Sequence, residues 1–210
     1  MTQINQLFPQ ALPKKSGNEV SSNTSTESWA ISLRERYGTP GQFLTLFNPG
    51  KQALYCRDRD RCFDSGAPSL NRVQAAYSRE IAESWVEAQI FDLTRYTGIK
   101  EKPSNEHIES CASVIVQEYG YLKISEIMLF FHRFKAGMFG RFYGTYDNLV
   151  LMDSLRQFVD YRNKELRRIE QEKARATREE EYLRREQEAV SYQEWIEMSR
   201  QQTSHSHENE

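Results

Sequence analysis

Three cysteines and four histidines are the residues of this sequence best suited to metal or nucleophile chemistry. Cys56 and Cys62 stand in CRDRDRC, separated by five residues. A structural zinc site takes four ligands, usually arranged in closer pairs. Only Cys111 and the scattered histidines remain to complete such a set, and none has ligand spacing. Cys111 falls on an apolar helical stripe and reads as a small buried hydrophobe. No metal and no cofactor is therefore expected. Phosphate chemistry lacks its loop as well: GMFGRFYG contains neither GxxxxGK[ST] nor GxGxxG, and it follows a helical pattern rather than a strand. GxSxG is absent, and the Asp and Glu residues are numerous but unpaired in any apolar setting, so no catalytic residue is assigned.

The stretch richest in chemistry is FFHRFKAGMFGRFYGTYD, residues 130–147. His132, Arg133, Lys135 and Arg141 alternate there with Phe and Tyr. Gly137, Gly140 and Gly144 permit tight bends. In one reading Phe139, Phe142 and Tyr143 fold back on the core and the glycines make the turn. In the other, cations and aromatics form a surface for a protein or a nucleic acid. The two are compatible if the aromatics anchor while the cations face out. The candidate contacts are His132, Arg133, Lys135, Phe139, Arg141 and Tyr143, with both arginine heads expected in solvent.

Those residues need a scaffold, and the rest of the chain supplies a helical one. Hydrophobic residues make up 38 % and charged residues 28 % of 210 positions, and the mean hydropathy is -0.76. The apolar residues concentrate between positions 26 and 162, enough for a core that folds alone. The formal net charge of -2 gives no general attraction to nucleic acid or membrane. An odd cysteine count, an N-terminus without a signal-peptide pattern and the lack of a spanning apolar run make a cytoplasmic protein the default.

Residues 1–25 read as a disordered leader. Thr26 is a candidate cap for a short helix ending at Gly38. Thr39-Pro40 and Asn48-Pro49 each place a capping residue before a Pro at the first helical position, which predicts two short helices. Residues 57–68 read as a charged loop, closing the 26–66 stretch of short helices. The main bundle, 69–162, opens with Leu70, Val73, Tyr77, Ile81 and Trp85 on one helical face, with a break near Ser78 and a stop at Gly98. Ser104 caps a helix whose stripe is Ile108, Cys111, Ala112, Ile115 and Val116. A helix from Ile124 to Gly137 and another from Asp147 complete the bundle. Phe130, Phe131, Phe134, Leu155 and Phe158 are expected to be buried together. Residues 163–192 are a charged helical extension laced with i, i+3 and i, i+4 pairs, and 193–210 a disordered tail. The fold class is all-α.

EIMLFFHRFKAGMFGRFYGTYD, with Asp60-Arg61-Cys62-Phe63, Ala67-Pro68-Ser69-Leu70, Tyr121-Leu122-Lys123, Leu155, Phe158 and Arg162, resembles a family of helical proteins from gut-anaerobe genomes, their phages and mobile elements. The resemblance covers roughly residues 55–165 and implies no catalytic residues. A looser likeness, a helical unit ending in a Gly-Tyr-Gly-like turn, connects it to phage replication accessory proteins. The resulting expectation is a non-enzymatic adaptor or accessory protein in replication of a phage or mobile element. Another protein is the expected partner, and no membrane is. Direct nucleic-acid binding through the basic-aromatic loop is the alternative, and an enzyme with an unrecognised site is a further one.

Overall fold

The computed structural model describes residues 22–57, 62–63 and 66–206. Within them the chain forms eight α-helices and no strand, an all-α fold. The helices are α1 (Ser22–Tyr37), α2 (Pro40–Leu46), α3 (Gln52–Arg57), α4 (Leu70–Ala76), α5 (Arg79–Thr97), α6 (Asn105–Glu118), α7 (Ile124–Lys135) and α8 (Asn148–Ser206). A 3₁₀ turn, Pro49–Lys51, leads into α3.

The punctuation of the sequence explains most boundaries. Thr39 Oγ1 accepts from Gln42 N–H at 3.4 Å, and Gln42 Oε1 accepts from Thr39 N–H at 2.8 Å, closing a reciprocal cap. Asn48 caps the following turn through Gly50 N–H at 2.9 Å. Ser78 interrupts the 69–97 pattern as a cap for α5, and Gly98 ends α5 in the left-handed region at φ 62°. Ser104 starts α6. α1 begins at Ser22, so residues 22–25 are helical rather than part of the leader; residues 1–21 lie outside the described residues.

α5 packs along α6, and α3 lies on α7. Trp85, on α5, is 1 % exposed and donates its indole N–H to Phe47 C=O at 2.8 Å. Gln52 and Gln89 meet beside it at 2.7 Å, so this junction has its polar groups paired. α7 is the central helix, with Ile127, Met128, Leu129, Phe130 and Phe131 all at most 1 % exposed. Phe130 packs on Phe131, Phe134 and Phe158 with ring centroids 5.1, 6.1 and 5.5 Å apart. Leu155 joins the same core. Each such side chain contributes about 1.5–3 kcal/mol by leaving water.

One buried ion pair fastens α8 to the start of α7. Glu126 is fully buried; it accepts the Lys123 backbone N–H at 2.8 Å and the Arg162 Nε–H at 2.8 Å. Cys62 and Phe63 sit against the same region. Ser125 Oγ donates to Cys62 C=O at 2.9 Å, and Lys123 Nζ to Phe63 C=O at 2.7 Å.

The boundary of the core on α8 differs from the sequence expectation. Leu166 and Ile169 still pack against it, so the core ends near Ile169 rather than at residue 162. From Gln171 to Glu188 every side chain is exposed. The helix nevertheless continues through residues 193–206, which the sequence reading assigned to a disordered tail. No Gly or Pro stands between positions 145 and 210 to break a helix already propagating. Glu165–Arg168, Arg168–Glu172 and Arg184–Glu188 pairs at 3.2, 2.8 and 3.6 Å lace its surface. Among the described residues no helix is long and apolar enough to cross a membrane.

Candidate functional site

The loop between α7 and α8 is a rigid bend. Gly137, Gly140 and Gly144 have φ of 76°, 155° and 87°, a region that favours glycine. Gly137 N–H and Met138 N–H donate back to Phe134 and Arg133 carbonyls at 2.8 and 3.0 Å, closing α7. Lys100 N–H donates to Gly144 C=O at 3.0 Å and ties the loop to the α5–α6 connection. Phe139, 9 % exposed, inserts among Phe130, Phe158 and Tyr161. Phe142 packs on Phe134 and Tyr146 with centroids 5.2 and 5.1 Å away.

The six candidate contact residues do not share one surface. Arg133 is 5 % exposed, which corrects the expectation that its head lies in solvent. It shares a helical face with Glu126 and Phe130, at i, i+4 and i+7 spacing, and that face turns inward. Its guanidinium lies 4.6 Å from the Tyr161 ring centroid, a desolvated cation–π contact, and its Nε has no hydrogen-bond partner among the described residues. Phe139 belongs to the core, so it is an anchor and not a contact. Lys135 is committed as well. It forms an ion pair with Asp92, donates to Gln52 Oε1 at 2.8 Å, and sits 5.5 Å from the Tyr96 ring centroid.

His132 is half-buried beside Lys135 in a cleft of about 360 Å³, shared with Gln52, Asp92 and Tyr96. Burial, then the charges of Lys135 and Arg133, lower its pKa, so the imidazole is neutral at pH 7. Of the four basic candidates, Arg141 alone stands in solvent as a cation. Its guanidinium lies 5.0 Å from the Tyr143 ring centroid.

Arg141 and Tyr143 lie on the outer side of the bend with residues the sequence reading missed. Tyr143 is 78 % exposed, Leu149 79 % and Met138 56 %. An open groove of about 650 Å³ runs between the bend and the first turns of α8, lined by Phe139, Arg141, Tyr143, Leu149, Asp153 and Gln157. Asp153 is paired with Arg156 at 2.5 Å and Gln157 at 2.8 Å. Leu149 was legible in principle. It lies two positions before Leu151, about 200° round the helix from the face that Leu151, Leu155 and Phe158 bury.

The arrangement offers little to a reacting group. Cys62 is buried, and desolvation first, then Glu126, pushes its thiol up to about 12, so no thiolate is available near neutral pH. Burial also raises Cys111 and Tyr146. Among the described residues no group of three or more His, Cys, Asp or Glu is placed to hold a metal ion.

Residues 104–206 match the model of a family of unknown function, DUF6633. The matched region contains α6, α7, the glycine bend and all of α8. No curated protein and no solved structure matches the chain.

Proposed function

We propose that this protein is a non-enzymatic adaptor that engages another protein through the outer face of the α7–α8 bend and the start of α8. The observation that carries the reading is the exposure of Tyr143 and Leu149, 78 % and 79 %, on a bend held rigid by core anchors and left-handed glycines. Large side chains in water on a preordered backbone lose little entropy on binding. Tyr, Met and Arg are also the residue types enriched where proteins meet, and Tyr143, Met138 and Arg141 supply all three.

Nucleic-acid binding through the bend itself is supported less. It needs several cations facing a backbone of phosphates. Arg133 is buried, Lys135 is paired with Asp92, His132 is neutral, and Asp153 stands beside Arg141 in the groove. An enzyme is supported less still, because the groove is open and its one carboxylate, Asp153, is held ionised by hydrogen bonds from Arg156 and Gln157. On the resemblance of residues 130–147, we attach the adaptor role to replication of a phage or mobile element.

A photo-crosslinking side chain at position 143, in the full chain expressed in its host, tests this. The expected result is a discrete protein adduct that disappears when Leu149→Ser is added. Position 91, also exposed but on α5, serves as the control. Equal, diffuse labelling from both positions contradicts the reading.

A further inference from the structure

The long helix has a charge pattern that its pairwise ion bridges hide. Residues 162–178 hold seven Lys or Arg against three Glu. Residues 179–197 hold seven Glu against two Arg. One continuous helix thus has a basic half and an acidic half, with the change of sign between Arg178 and Glu179. Arg162 is held by the buried carboxylate of Glu126, whereas from Gln171 to Glu188 every side chain is exposed to solvent.

Near its far end the helix carries a second feature. Tyr192 and Trp195 are 61 % and 58 % exposed and stack on each other with centroids 5.7 Å apart. Exposed Glu194 and Glu197 flank them. An aromatic pair set among carboxylates complements the groove at the other end, where Arg141, Tyr143 and Leu149 are exposed. The same molecule cannot join the two. From Asp153 to Trp195 a straight helix extends about 63 Å.

From these observations we infer that two copies of this chain pair through antiparallel α8 helices, the Tyr192–Trp195 tip of each seated at the α7–α8 bend of the other. Antiparallel pairing centred near position 174 lays residues 162–169 of one helix along residues 179–186 of its partner, with Arg167 and Arg168 facing Glu181 and Glu180, twice, by two-fold symmetry. The same alignment, centred a few residues before the change of sign, brings position 195 of one copy near positions 150–157 of the other. Parallel pairing would set like charges side by side along the whole arm. The inference rests on the proposed contact surface and names its occupant.

Charge exchange in the full-length protein tests it. Variant one carries Glu180→Lys and Glu181→Lys; variant two carries Arg167→Glu and Arg168→Glu. All four side chains lie on the surface of α8, so both variants should fold. Sedimentation velocity between about 1 and 100 µM should show the parent as a dimer that weakens with added salt. Each variant alone should lose at least about tenfold in dimer affinity, and the equimolar mixture should regain it, because both contacts of the mixed pair are again opposite in sign. A photo-crosslinker at position 195 should then label residues 137–157 of the second copy. A parent that stays monomeric, a mixture that does not recover, or crosslinks joining position 195 to position 195 would each overturn the inference. If the parent is monomeric while a crosslinker at position 143 still captures a different protein, the contact-surface reading stands alone. If position 143 captures nothing either, both fall.

Discussion

The two halves of α8 are the same secondary structure held for different reasons. From Leu151 to Ile169 the helix turns one face into the bundle: Leu151, Leu155 and Phe158 are buried, and Arg162 reaches back to the buried carboxylate of Glu126. From Gln171 to Glu188 it has no inner face. Its local support there is i, i+3 and i, i+4 ion pairs, each giving about 0.2–0.5 kcal/mol. Tertiary packing holds the first half, whereas the second depends on propensity, surface charge and, in the proposed dimer, a second copy. Helical content alone therefore says little about where the domain ends.

Breaking the packed half should have the largest effect. Phe158 touches Phe130, Phe139 and Tyr161 with centroids 5.5–6.3 Å away, so Phe158→Ala opens a cavity among rings that cannot all move. A loss of about 3–5 kcal/mol in denaturant unfolding is expected. Melting like the parent would show that this half is no better packed than the arm.

The bend belongs with the packed half, and Gly140 tests that membership. A Cβ built there lies 2.6 Å from Ser154 Oγ on α8, and φ is 155°. Gly140→Val should cost about 1–3 kcal/mol from backbone strain, with the steric clash in addition. Gly137→Ala has open space for its Cβ and only the left-handed φ of 76° to bear, so it should cost less. Equal effects would mean that the bend does not press on α8.

A smaller electrostatic effect separates the regions by pH. His132 has a folded pKa below its ordinary 6.5, chiefly through burial. The unfolded chain then takes up the proton first, so this contribution is fully present above about pH 6.5 and declines as the pH falls towards the folded value. His132→Gln should flatten the stability profile between about pH 7.5 and 5.5 relative to the parent. An unchanged slope would show that the imidazole is as well solvated folded as unfolded.

The smallest effect belongs to the arm. Stopping the chain after Gln171 should leave thermal unfolding of the bundle, measured on dilute protein, within about 0.5 kcal/mol of the parent. A larger loss would place the arm inside the domain.

Much of the bundle was legible before any coordinates. Apolar residues at helical spacing in α4 to α7, caps at Thr39, Asn48 and Ser104, a break near Ser78, and stops at Gly98 and Gly137 are local signals, and local physics set them. The contact residues were less legible because exposure is a tertiary property. Arg133 and Arg141 look alike in sequence. One lies on the same face as Glu126 and Phe130 and is buried, while the other follows a left-handed glycine and points outward. Lys135 looked free until folding brought Asp92, 43 residues away, to its ammonium group. The polar run 193–206 carries no apolar stripe to mark a helix in the sequence, yet no Gly or Pro interrupts the one that enters it.

Amide hydrogen exchange along α8, on protein dilute enough to be monomeric, tests the contrast most directly. Amides of residues 155–166 should exchange only with global unfolding of the bundle. Those of 172–188 should exchange orders of magnitude faster, through local opening, with the step falling near Ile169–Gln171. Uniform protection along the whole helix under those conditions would contradict the division of α8 into a packed half and a free arm.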